Sequence, residues 1–180
     1  MLAAVSFGQT VVRSGAQLEL SKKPRIAVLE FSSDPGVTGV DAGGIKALQS
    51  AVVKEMKKDS PDKGWIEIPS TSATVRGLYQ ALLGRAVDTA TAVKIGQQLG
   101  VSHVMIGKVK TYDHSLGGGT LHIQGDVVEV ATGKIVWSGT GDAAGADLTK
   151  VGSGTLDLGR SNLIIPAVQK LTASLKAADL

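Results

Sequence analysis

The side chains able to do chemistry are few, and their spacing decides what they can be used for. His114 and His122 flank a glycine run, with Asp113 and Asp126 close by in the chain. If a hairpin turns near Gly117, the two histidines become diagonal neighbours on one sheet face, the beginning of a metal site. Such a site needs at least three converging ligands, and the sequence offers no third, so the pattern is that of exposed strand histidines. The run His114-Ser-Leu-Gly-Gly-Gly has the look of an oxyanion loop, but no G-x-S-x-G nucleophile turn accompanies it. Gly152-Ser153-Gly154 reads as a loop. Paired carboxylates cannot be assigned from spacing alone.

A second stretch invites a phosphate-binding reading. Ser32 to Gly44 is built of turn formers between an apolar strand and an amphipathic helix, with glycines at Gly36, Gly39, Gly43 and Gly44. Their spacing fits neither G-x-x-x-x-G-K-[ST] nor G-x-G-x-x-G, and Asp34 and Asp41 repel a phosphate. The expectation is a noncatalytic protein with no cofactor and no bound metal.

Composition narrows the remaining classes. The chain has 180 residues and no cysteine, so disulfides, thiol redox chemistry and thiolate metal sites are excluded. A net charge of +3 and a pI near 9.2 tilt it mildly towards anionic partners. Aromatic residues make up only 3%, too few for a single-strand nucleic-acid stacking platform, and no nucleic-acid partner is expected. The apolar start, MLAAVSFG, followed by Gln9 and Thr10, resembles the distal part of an export signal without its basic region, so maturation near Gln9 is expected. Residues 1–24 are thus read as a signal-peptide remnant and arm, and 25–180 as one domain. No later run reaches the ~20 apolar residues of a spanning helix.

The elements that must carry any site follow from periodicity. Arg25 to Phe31 is a nearly continuous apolar run, a strand covered on both faces. Ile45 to Lys58 places Leu48, Val52 and Met56 at four-residue steps, widened by Ile45 and Val53. Trp65 to Ile68 is a second strand, and Val75 to Leu83 a short helix with Leu78, Tyr79 and Leu82 inward. Asp88 or Thr89 caps a helix over Thr89 to Leu99 whose apolar positions are Ala90, Val93, Ile95 and Leu99. It stops at Gly100 and feeds directly into a strand. In that strand Val104, Ile106 and Lys108 share one face, and Met105, Gly107 and Val109 the other. The chain returns as Thr120 to Val130, and Val127 to Trp137 is a hairpin turning at Thr132-Gly133. Ser161 caps a last helix to Leu175, with Leu163, Ile164, Val168, Leu171 and Leu175 on its apolar side and Pro166 kinking its first turns. The sum is an α/β fold with a mixed β-sheet of about five strands flanked by helices.

The run Thr89-Ala90-x-x-Val93-x-Ile95-Gly96-x-x-Leu99-Gly100-Val101-Ser102-x-Val104-x-Ile106-Gly107 resembles the segment shared by CsgG-like domains. That group takes in the curli secretion channel, LpoB-like activators of cell-wall synthases and FlgT-type envelope proteins. The resemblance runs from about Arg25 to Ser138, and the opening strand and the Thr132-Gly133 hairpin also match it. It implies a periplasmic or otherwise exported protein of the bacterial envelope. Such a protein works by self-association into an oligomer and by contact with an envelope partner, as an assembly or secretion accessory. An LpoB-like activator and a nucleotide-binding or hydrolytic domain are the alternatives. The channel's transmembrane hairpins have no counterpart here, because the segment after the third strand is only His114 to Gly119 and the weak alternation of Gly139 to Gly159 does not suit insertion. Two long loops are expected to make the contacts. One carries Asp34, Gly36, Gly39, Asp41, Gly43 and Gly44; the other, over Gly139 to Gly159, carries Asp142, Asp147, Lys150 and Ser153.

Overall fold

A computed structural model describes residues 24–82, 85–115, 118–145 and 162–176. Its strands are β1 (Arg25–Leu29), β2 (Ser32–Ser33), β3 (Gly64–Ile68), β4 (His103–Ser115), β5 (Gly118–Glu129) and β6 (Ile135–Ala144). Its helices are α1 (Ala42–Asp59), α2 (Arg76–Ala81), α3 (Thr89–Leu99) and α4 (Ile164–Lys176). The strands form one six-stranded mixed sheet in the order β3-β1-β4-β5-β6, with β2 alongside β4. β1 is parallel to both β3 and β4, whereas β4, β5 and β6 are antiparallel.

Two apolar clusters divide the molecule by sheet face. On one side Leu48, Val52 and Met56 of α1 and Val168, Leu171 and Leu175 of α4 pack against Ile26, Val28, Met105 and Ile123. On the other, Ala92 and Ile95 of α3 pack against Ala27, Leu29, Val104 and Val128, with Leu78 and Tyr79 of α2 half-buried beside them. The alternation of β4 is as expected, Val104 facing the second cluster and Met105 and Val109 the first.

Local signals account for most element ends. Asp88 accepts from the Thr91 main-chain N–H at 2.7 Å, and Gly100 closes α3 at φ 62°, a left-handed conformation that glycine takes without a Cβ clash. Gly133 turns the β5–β6 hairpin at φ 70°. The inner stripe of α3 is Ala92, Ile95 and Gly96, whereas Ala90, expected there, is exposed. Pro166 stands in the first turn of α4, where a missing N–H costs no helical hydrogen bond, so the helix runs on from Ile164 instead of being interrupted. Ser161 lies outside the described residues.

The loop expected from Ser32 begins instead as strand, because Ser32 and Ser33 pair with Lys108 and Val109 and prolong the line of β1. The β4–β5 connection is tighter than expected too, since His114 and Ser115 pair with Gly119 and Gly118 inside the ladder. The first six residues of the second expected contact loop, 139–144 and so Asp142, belong instead to strand β6 (Ile135–Ala144).

Candidate functional site

The chain leaves β1 towards the face covered by α1 and leaves β3 towards the face covered by α2 and α3. Because β1 and β3 are parallel neighbours, these opposite departures part the two connections at the carboxyl ends of the strands, the usual place for a ligand crevice in such sheets. A cleft of about 780 Å³ opens there. Its floor includes Phe31, Val40, Ile45, Leu82 and Val87, and its rim carries Lys46, Arg76 and Arg85.

The two carboxylates of the cleft are already engaged. Glu30 Oε1 accepts from the Ser70 main-chain N–H at 2.9 Å, which ties the end of β1 to the chain leaving β3. Asp41 caps α1, its Oδ1 accepting from the Gly44 N–H at 2.8 Å. Arg76 donates to the Thr71 carbonyl at 3.0 Å and Arg85 to the Leu82 carbonyl at 3.2 Å. These bonds orient both guanidinium groups and leave further N–H groups of each for another acceptor. Burial, and next the charge of Glu30, push Tyr79 above the ordinary ionisation range of tyrosine, so its hydroxyl keeps its proton at any neutral pH. Below the cleft the buried Gln49 of α1 donates to the carbonyls of Val28 and Ile68, at 2.8 and 2.9 Å. It locks the two diverging strands to the helix.

Of the six residues expected in the first contact loop, Asp41 borders the cleft, and Asp34, Gly36 and Gly39 lie in the loop that leads to it. The hydrogen bond from Lys110, with the charges of Lys110 and Lys108, holds the Asp34 carboxyl below its ordinary range against partial desolvation. Gly39, at φ 76°, lies on the Tyr112 ring, where a Cβ would meet Cε1 at 3.0 Å. Gly36 also has positive φ but faces open space. Gly43 and Gly44 are not loop residues but the start of α1, Gly44 buried there. In the second set, Asp142 sits on β6 against His122 of β5, while Asp147, Lys150 and Ser153 lie outside the described residues.

The two histidines are not brought together. The β4–β5 turn, with Ser115 opposite Gly118, sets His114 opposite Gly119 and His122 opposite Thr111, three places along β4 from His114. Asp126 accepts instead from the Ser138 hydroxyl at 2.6 Å, and among the described residues no three His, Asp or Glu side chains converge on a metal position.

A second feature is the start of β6. Among the described residues this strand ends the sheet, and it starts with Ile135 and Val136 exposed by 49% and 44%. The only hint in the sequence is an apolar pair directly after the Gly133-Lys134 turn. The cleft residues Glu30, Lys46, Arg76 and Arg85 carried no signal of their own; what could have marked them is their place beyond the ends of two apolar parallel strands.

Geometry and comparison agree on the class, a mixed α/β sheet layered by helices on both faces. No family model matches the chain, and no curated protein matches it. Solved structures do. The PelC dodecamer from Paraburkholderia phytofirmans is 14% identical and aligns over 87% of this chain and 88% of its own, with a TM-score of 0.52. The hypothetical protein CT253 from Chlamydia trachomatis is 9% identical over 87% of this chain and 98% of its own, at 0.55. The LpoB C-terminal domain from Salmonella enterica corresponds more loosely, 15% identical over 67% and 82% at 0.41. At these identities the likeness is one of fold.

Proposed function

We propose that the chain is an exported, noncatalytic protein of the bacterial cell envelope that works by associating with copies of itself and with an envelope partner, as an assembly or secretion accessory of the CsgG-like group. Residues 25–180 form its working domain. The observation that carries this reading is the start of β6, the last strand of the described sheet, where two large apolar side chains, Ile135 and Val136, stand in water. Exposed apolar strands at the end of a sheet recruit another chain unless they are blunted, and β6 has neither a proline nor a lysine between Ile135 and Ala144. That a protein with the same fold is described as a dodecamer supports self-association. The noncatalytic part rests on the sequence, whose glycines fit no phosphate-binding pattern and whose His114 run has no accompanying G-x-S-x-G turn.

Size-exclusion chromatography with multi-angle light scattering, run from Gln9 onward over a wide concentration range, tests the reading. A discrete assembly of several subunits is expected. A strict monomer at every concentration removes self-association and leaves the activator that docks on one synthase as the better reading.

A further inference from the structure

We propose that the cleft between the β1–α1 and β3–α2 connections binds an extended acidic peptide segment with alternating apolar side chains, offered by the protein partner. This rests on the reading of the chain as a contact protein and names where, and with what chemistry, one contact is made. The cleft has the shape of a ligand crevice for a topological reason, the opposite departures of β1 and β3, and not through an accident of loop packing.

The class of ligand follows from what lines the cleft. Phe31, Val40, Ile45, Leu82 and Val87 give it an apolar floor that a polar small molecule or a bare anion leaves unused. Three cations, Lys46, Arg76 and Arg85, stand over that floor, against the carboxylates of Glu30 and Asp41. Each carboxylate keeps its charge while one of its oxygens accepts a main-chain N–H, Ser70 for Glu30 and Gly44 for Asp41, so the three cations exceed the two anions by one. The cations keep donors to spare, although Arg85 also lies in the field of Asp88. Lys46 is exposed, and the two arginines are each fixed by a single main-chain carbonyl, with N–H groups left that suit a carboxylate fork. An extended chain puts successive side chains on opposite sides, so alternating acidic and apolar residues can meet rim and floor together.

The test uses the full chain and a fluorescein-labelled peptide of alternating Glu and Leu, followed by fluorescence anisotropy. Saturable binding is expected, weakening between about 0.05 M and about 0.5 M salt as exposed charge pairs are screened. Arg76→Glu/Arg85→Glu is expected to weaken it by about 10-fold or more, because two attractive pairs become repulsive. Lys54→Glu/Lys57→Glu, the same charge change at the far end of α1, leaves it unchanged. Circular dichroism confirms that both variants fold. No saturable binding, equal binding of a Lys-Leu peptide, or indifference to the arginine change overturns the proposal. Displacement by equimolar inorganic phosphate overturns it too, in favour of a simple anion site. Light scattering on the same samples reports self-association separately, so a failed cleft and a failed contact-protein reading give different results.

Discussion

Gly141 of β6 lies directly under the main chain of Ala167 in α4, so close that a Cβ on Gly141 would stand 2.0 Å from the Ala167 carbonyl oxygen. Gly139 extends this seat, since its Cβ would meet the Trp137 ring and Ser174 Oγ of α4, the latter at 2.8 Å. The helix therefore rests on strand backbone, and Gly141→Ala must lift it, since a carbonyl oxygen cannot turn aside. A loss of about 1–3 kcal/mol is expected in a urea titration, with the midpoint falling and the slope unchanged.

Gln49 is a buried polar residue that holds two strands at once through Val28 and Ile68. Gln49→Leu keeps the volume but deprives two buried carbonyls of their donor, at a cost of about 1–3 kcal/mol. Hydrogen exchange checks the mechanism. Amides near the carboxyl ends of β1 and β3 are expected to lose protection before those of β5.

Asp41→Ala removes the cap of α1 and is expected to cost about 1 kcal/mol, whereas Asp41→Asn, which still offers an acceptor, costs a few tenths. Thermal melts followed by circular dichroism separate the two.

Acid stability has a definite sign. Hydrogen bonds from lysines, chiefly, hold Asp34 and Asp59 below their ordinary values, Asp59 through Lys176 at 2.6 Å. Asp88 is lowered as well, by the Thr91 main-chain bond first. Carboxyls lowered on folding bind fewer protons in the native state than in the unfolded one. Their stabilisation is therefore complete above the unfolded carboxylate range and is lost as pH falls through the folded values. Urea midpoints measured from neutral pH downward are expected to hold level and then drop below about pH 4. Asp59→Asn is expected to make that drop shallower.

The exposed start of β6 sets its own prediction. Ile135→Lys/Val136→Lys puts two charges where apolar side chains meet water and is expected to raise the dissociation constant of the self-assembly by about 10-fold or more without loss of fold. An unchanged light-scattering profile with native circular dichroism removes the start of β6 from the contact.

Where sequence was informative, the reason is local. Asp88, Gly100 and the β-forming run after it act on near neighbours, so α3 and β4 were legible almost to the residue. The Thr132-Gly133 turn was legible in the same way. What was not legible depends on distant partners. Ser32 and Ser33 look like loop until Lys108 and Val109 lie beside them. The turn joining Ser115 to Gly118 is tighter than one centred on Gly117, so His122 pairs with Thr111, three places along β4 from His114, although both strands were anticipated. Gln49 sits on the inward stripe of an amphipathic helix, where only the carbonyl ends of β1 and β3 explain an amide. The cleft is less legible still, because it belongs to the order in which parallel strands are visited, and no single residue encodes that order.

The described sheet ends in two unlike strands, the short parallel β3 and the long antiparallel β6. If the β6 edge of one molecule meets the β3 edge of the next, each addition presents the same unlike pair again, so growth has no built-in stop at two. Whether the series closes on itself or runs on is then a matter of geometry, decided by the small rotation that sheet twist imposes at every junction. Subunit number becomes a property of the strand backbone, and substitutions on the outward helices can alter what the assembly recognises without altering how many copies it holds.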